Sequence, residues 1–282
     1  MCVELAESID LKEKPLSNMR VAITAIDLEQ AEHRGIAYLS KGLISSLSDL
    51  GAEVYLLTGF YGRRLNPLMK LSMSKQSVRE VDCADILDQF CDPSNRLRMN
   101  RKKASDIDED ITSKLVNKLI NLRNVSKKNI ELLFSVLRFY LNSCRFSGRL
   151  IHLSNFETSP YSGQERLDYL SKISGFLSIK DIYNFATLRS KRLLFKAPII
   201  DLRKSDIDLL ITSCPLSIDV KKKNKNSLRC LQIIMDFIPL SFSKHPDHPF
   251  GFYNRLKDAM KTKNCFISKA SRNKICSLLN KP

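Results

Sequence analysis

From Arg20 to Leu57 the apolar residues change rhythm twice. Val21, Ala22, Ile23 and Thr24 make a short, nearly continuous run, as in a strand covered on both faces. A polar loop, Asp27 to Arg34, and then Gly35 follow. From Ile36 onward Ile36, Leu39, Leu43, Leu47 and Leu50 recur at helical spacing, and Gly51 stands where a C-cap glycine belongs. A second apolar run, Glu53 to Leu57, ends at Thr58-Gly59. A strand, a helix of about four turns and another strand predict parallel pairing through a right-handed crossover.

Residues 60–105 carry little periodicity. Arg63, Arg64 and the run Arg101-Lys102-Lys103 predict loops, with one short strand near Val78 to Val81. Ile107 to Phe146 is helical in pattern and basic. Leu115, Leu119 and Leu122 share one face there, and Leu133, Val136, Leu137, Tyr140 and Leu141 share another, with Lys114, Lys118, Lys127, Lys128, Arg138 and Arg145 interleaved. Arg149 to Leu153 reads as a buried strand opening into the loop Ser154-Asn155-Phe156-Glu157. Helices are expected at Glu165 to Leu177 and Lys180 to Phe195, and strands at Leu209 to Thr212, Arg229 to Met235 and Asn264 to Ile267. A lysine-rich turn, Lys221 to Asn226, and a proline-broken loop, Pro239 to Pro249, separate these elements. A helix from Phe252 to Lys261 and a last one from Lys269 to Leu279 complete the pattern. No internal repeat or low-complexity tract is present. Strands and helices in alternation predict an α/β fold: an open, mainly parallel, Rossmann-like sheet with flanking helices. Residues 1–19 read as a polar leader and 20–282 as one such domain, carrying a basic helical insertion at about 105–147.

Composition narrows the function classes. Apolar residues at 43% and charged residues at 27% are a globular balance. No apolar run approaches the ~18 residues of a membrane span. Met1 to Arg20 is acidic and polar, unlike a secretory signal, so a cytoplasmic location is expected. The eight cysteines (Cys2, Cys83, Cys91, Cys144, Cys214, Cys230, Cys265, Cys276) contain no C-x-x-C pair, which points to reduced, structural thiols and to no metal site. The formal charge of +16 attracts polyanions, whether nucleic acid, an anionic bilayer or a phosphorylated substrate.

Candidate chemistry collects at the ends of the predicted strands, where open α/β sheets bind ligands. Gly35, with Ile36 after it, opens a helix, whose unpaired N–H groups and partial positive charge suit an anion; it is equally a plain turn glycine. His33 and Arg34 border the same loop. Asp236 follows an apolar strand, as a ligand contact or as the cap of a turn. His152 lies in a strand, as an acceptor contact or a satisfied core histidine, with Asn155 and Glu157 in the loop beyond it. Ser268 and Ser271 are placed either to cap the last helix or to face a ligand. Asp27 to Gly35, Asn155 to Glu157 and Asp236 to Pro239 all follow strand C-termini of what is expected to be a single open parallel sheet, so the three are expected to gather along one edge. The basic clusters Lys102-Lys103, Lys127-Lys128, Lys221-Lys222-Lys223 and Lys261, Lys263, Lys269, Arg272, Lys274 are solvated faces or an anionic membrane contact.

Three stretches together resemble the N-terminal, acceptor-side domain of the GT-B glycosyltransferases, specifically the retaining family 4. "VAITAIDLEQAEHRGIAYLSKGLISSL" is similar to the family's first strand, polar loop and Gly-Ile-x-x-Tyr helix start. "LQIIMDFIPL" is similar to its "HDLIPL" strand end. "FYNRLKDAMKTKNCFISKASRNKICSLL" is similar to the helix, strand and "SxxS" helix start before the interdomain crossover. The resemblance implies transfer of a sugar from a nucleotide-sugar to a polysaccharide or lipid-linked acceptor, without metal, cofactor or a protein nucleophile in this half. It further implies that the donor-binding C-terminal domain, with its paired glutamates, is absent here, so that donor binding and turnover need a second domain or partner chain. Several members carry a histidine directly before the aspartate that Asp236 matches; Met235 stands there in this chain. Two other classes stay open from the residues themselves: a basic α/β nucleic-acid-binding protein, though no zinc knuckle, RRM or KH motif is present, and a non-catalytic, degenerate binding domain.

Overall fold

The computed structural model describes residues 14–30, 32–33, 35–62, 65–92, 130, 132–153, 165–221, 230–235 and 248–279. Strand β1 (Arg20–Thr24) pairs in parallel with β2 (Glu53–Thr58), Val21 beside Val54 and Thr24 beside Leu57. The helix between them, α1 (Gly35–Asp49), buries Ala37, Ser40 and Ile44. It ends because Gly51 adopts φ +96°, a left-handed conformation that only glycine takes without strain. Ala52 N–H then returns to the Leu47 carbonyl at 3.0 Å and Gly51 N–H to Ser48 at 2.9 Å, the paired bonds of a Schellman turn.

After β2 come α2 (Pro67–Ser72), capped by Asn66, and α3 (Lys75–Cys91), capped by Ser74. Helical residues 132–141 precede β3 (Arg145–Phe146) and β4 (Arg149–His152). A 3-10 helix (Glu165–Lys172), β5 (Gly175–Ser178), α4 (Ile182–Ser190) and β6 (Ile199–Asp201) follow. The remaining elements are β7 (Leu209–Thr212), β8 (Asp219–Lys221), β9 (Cys230–Ile234), α5 (Pro249–Ala259), β10 (Lys263–Phe266) and α6 (Lys269–Leu278). Seven strands form one sheet in the order β10-β9-β7-β1-β2-β5-β4, and β3-β6-β8 form a small second sheet. Every pairing is parallel except β4 with β5.

The continuous apolar runs of the inner strands reflect burial on both faces. Val21, Ile23, Val54 and Leu56 pack toward α1, α3 and the 3-10 helix, while Ala22, Tyr55, Leu57 and Leu210 pack toward α4, Phe139 and the small sheet. Each fully buried Leu or Ile contributes about 1.5–3 kcal/mol, so this double layer dominates the stability. A third cluster, Ile234, Phe252, Leu256 and Ile275, attaches α5 and α6.

Four sequence expectations are corrected. Val78 to Val81 is not a strand but part of α3, where Val78, Ile86 and Phe90 share the buried side. The helix expected over Glu165 to Leu177 stops at Lys172, and Gly175 to Ser178 instead forms β5. Lys180 to Phe195 is helical only over Ile182 to Ser190, because Asp181 and Arg192 adopt positive φ at either side. The Arg149 strand runs antiparallel to its neighbour, His152 opposite Gly175, so the sheet is parallel only as far as β5. Most of the 105–147 insertion and the Lys222 to Asn226 part of the lysine turn lie outside the described residues.

Candidate functional site

Strand β1 is central, and the chain leaves it in both directions: β2 and β5 lie on one side, β7 and β9 on the other. At such a reversal the connections diverge, and open α/β sheets bind ligands in the crevice that this leaves beyond the strand C-termini. The strands that border it end in hydroxyl residues: β1 in Thr24, β2 in Thr58, β5 in Ser178, and β7 in Thr212 with Ser213 next. A small hydroxyl at a strand end satisfies backbone groups that the ladder no longer pairs. Phe60 N–H donates to Thr58 Oγ1 at 3.0 Å, Ser213 N–H to Thr24 Oγ1 at 3.0 Å, and Ser178 Oγ to the Phe60 carbonyl at 2.6 Å.

Two carboxylates from the β1 loop are tied into this row. Ser213 Oγ donates to Asp27 Oδ2 at 2.8 Å. Because a serine has one hydroxyl hydrogen, Thr24 must supply the hydrogen in its 3.2 Å contact with Ser213 Oγ. Glu29 Oε1 accepts from Thr58 Oγ1 at 2.6 Å and from Gly59 N–H at 2.8 Å. A side chain at Gly59 would press on the Tyr183 ring at 3.3 Å, so the glycine lets Glu29 and Tyr183 crowd the β2 end. Tyr183 joins β1 to β2, donating to the Leu57 carbonyl and accepting from Ala25 N–H at 2.9 Å. Burial raises the Tyr183 pKa well above the ordinary tyrosine value, and the nearby Glu29 charge adds to the effect, so the phenol stays protonated. Lys180, just after β5, stands 4.3 Å from the centre of the Tyr61 ring.

Asp27 and Glu29 are both half-buried, positioned by bonds yet reachable from solvent. Carboxylates held this way accept hydrogen bonds from ligand hydroxyls and take a proton from one as a general base. Among the described residues no group of three or more His, Cys, Asp or Glu is placed to hold a metal ion.

The residues singled out from sequence disperse around this crevice. Gly35 opens α1 on the same edge, and a side chain there would meet nothing within 4 Å, so neither crowding nor backbone conformation demands the glycine. Ile36 is half-buried beside it. His33 turns to the body of the protein: its Nε2 lies 3.2 Å from the Leu28 carbonyl and its ring 6.3 Å from that of Tyr169. Burial lowers the His33 pKa, opposed by the Leu28 hydrogen bond and reinforced by Arg166 and Lys41. His152 does not reach the crevice. The antiparallel direction of β4 carries it to the opposite edge, where it is exposed and its Nδ1 meets Tyr55 OH at 3.1 Å. The loop expected to bring Asn155 and Glu157 to the crevice therefore leaves from the wrong end of the sheet. Arg34, Asn155, Glu157 and Asp236 themselves lie outside the described residues, although β9, which precedes Asp236, ends on the crevice side. Ser268 caps α6, accepting from Ser271 N–H at 3.0 Å and donating to Ser271 Oγ at 3.0 Å. It also lines an open groove of about 480 Å³ along β10 with Lys263, Lys269 and Arg272.

Sequence reasoning named the Asp27 loop but passed over Glu29, Thr58, Gly59, Tyr183 and Ser213 as site residues. The available signal was the recurrence of Thr or Ser at the close of successive apolar runs. Comparison of the chain with protein-family models, with curated proteins and with solved structures finds no match in any of the three.

Proposed function

We propose that the chain binds a polyhydroxylated acceptor at this crevice, as the acceptor-side half of a glycosyltransferase of GT-B type acting on a polysaccharide or lipid-linked sugar. The observation that carries this is the pair Asp27 and Glu29, fixed by Ser213, Thr58 and Gly59 at the reversal of strand order. Carboxylate oxygens are strong acceptors for sugar hydroxyls. The three sequence stretches of the family resemblance support the same role, and they fall on β1–α1, on β9 and on α5–β10–α6. The donor nucleotide-sugar is then held by a second Rossmann-like half. The charge of +16 favours nucleic acid as a second reading, without a zinc knuckle, RRM or KH motif in the sequence to accompany it.

Titration of the 282-residue chain with soluble oligosaccharides, followed by NMR, tests the proposal. Shifts should centre on Thr24, Ser213 and Gly59, and Asp27→Asn with Glu29→Gln should weaken binding about tenfold or more at unchanged thermal stability, the loss of one or two charge-assisted hydrogen bonds. UDP- and GDP-sugars should bind at millimolar affinity or not at all, since catalysis and donor capture need an enclosed cleft. Micromolar donor binding, or oligosaccharide shifts elsewhere on the surface, would overturn it.

A further inference from the structure

A helix lying on a sheet normally has one apolar face, turned inward, and a polar face outside. Helix α1 follows that rule more closely, with Gly42, Ser46 and Asp49 exposed off its core side. The helical residues 132–141 do not. Phe139 is fully buried, and Leu132 and Val136 pack beside it on the same core. On the other side Leu133, Phe134, Leu137 and Leu141 are 67%, 64%, 52% and 76% exposed. These positions recur at three- and four-residue intervals, so they form a second stripe opposite the first. The turn after α4 prolongs it: Phe195 N–H donates to Tyr140 OH at 3.1 Å, and the Phe195 ring is 87% exposed. Exposed lysines, Lys191 and Lys196, flank that turn, and Lys196 is near enough for its charge to act on Cys144 at the end of the helix. The helix's own Arg138 is held by Asp181 at 2.8 Å.

We infer that this outward stripe seats the protein on an anionic membrane surface. Leucines and phenylalanines enter the headgroup boundary while lysines beside them meet lipid phosphates, the composition of an interfacial helix. The chain's net charge of +16 draws the whole body to the same surface. No described helix is long and apolar enough to cross a membrane, so contact is by lying on the surface. This contact does not depend on what the crevice binds.

The test uses the full chain and sedimented vesicles, either phosphatidylcholine alone or phosphatidylcholine with phosphatidylglycerol. Binding should be confined to the anionic vesicles and weaken as salt rises. Lys191→Gln with Lys196→Gln should reduce it about thirtyfold, roughly a factor of five for each cation. Leu133→Ser with Leu141→Ser should reduce it about tenfold or more, with circular dichroism and thermal midpoint unchanged. The sequence has no tryptophan, so Leu137→Trp provides a single emitter, whose fluorescence should shift to the blue only with anionic vesicles. Equal binding to both vesicle types, binding to neither, an emission maximum that does not move, or a dimer dispersed by the leucine changes in place of vesicle binding would each overturn the seat. So would salt-sensitive binding to DNA with none to vesicles.

Discussion

The two ends of the central strands handle their polar groups by different means. At the N-terminal end opposite charges meet. Arg20 Nε donates to Glu53 Oε2 at 2.9 Å, its backbone N–H donates to Asp208 at 2.9 Å, and its guanidinium lies 3.9 Å from Asp206. Glu53 also accepts from Tyr55 OH at 3.0 Å. At the C-terminal end, Ser213, Thr58 and Gly59 donate to Asp27 and Glu29, and these donors bring no charge of their own. A guanidinium neutralises a carboxylate while positioning it; a hydroxyl or amide positions it and leaves its charge alone. The N-terminal pairs, open to water, are worth about 0–1 kcal/mol each and act as surface staples. The C-terminal bonds fix two half-buried carboxylates beside the strand ends. The difference separates an end that closes the sheet from an end arranged to present groups.

Three experiments break or sharpen that contrast. The largest effect belongs to the closing end. A side chain at Gly175 would sit 2.1 Å from the Ile151 carbonyl oxygen, backbone against which nothing can yield. Gly175→Val should therefore lower stability by about 3 kcal/mol, the upper range for forcing volume into a packed site. A urea midpoint equal to that of the parent chain would show that β4 does not close the sheet there.

A smaller effect compares one hydroxyl at each end. Tyr183→Phe removes the group shared by Ala25 N–H and the Leu57 carbonyl inside the protein, and should cost about 1–2 kcal/mol. Tyr55→Phe removes a buried phenol whose partners, half-buried Glu53 and exposed His152, can turn to water instead, and should cost less than about 1 kcal/mol. Equal losses by chemical denaturation would erase the distinction between the ends.

The smallest effect is a pH dependence. Burial holds the His33 pKa below its ordinary value near 6.5, so between the two values the unfolded chain binds more protons than the folded one. Stability is then full above about pH 6.5 and declines as pH falls toward the folded value. His33→Gln should flatten the thermal midpoint across that window. A midpoint that rises on acidification in the parent, and loses that rise in the variant, would reverse the sign assigned to His33.

Much of the framework is legible in the residues. The β1–α1–β2 unit and its closing Gly51 follow from two changes of apolar rhythm, and Leu209 to Thr212 is a strand over the same four residues. What escapes has physical reasons. The four residues of β5 hide because Leu170, Ile173 and Leu177 keep a helical spacing across the break at Gly175. The direction of β4 is not written in Arg149 to His152, since a strand's own pattern is the same read up or down the sheet. Short β6 and β8 pack against each other rather than follow a long apolar run. The crevice was half visible: topology places the Asp27 loop and the end of β9 on one edge. Glu29 and Ser213 gave no such cue, because each is a lone polar residue whose meaning lies in partners 29 and 189 residues away.

That last separation has a consequence for how the molecule comes into being. Thr24 and Ser213 face each other because β7 lies beside β1, although the two residues stand 189 positions apart in the chain. A ribosome adding about 5–20 residues per second needs on the order of ten to forty seconds to cover that interval. Throughout it β1 and β2 can pair while the far side of β1 stays an open strand edge, the kind of surface that recruits stray strands and the chaperones that shield them. No nascent chain that ends before Ser213 holds the crevice, however well its first strands have folded. The centre of the sheet is thus begun by strands that emerge well before the one that completes it, which makes the assembled crevice a late signature of a finished core.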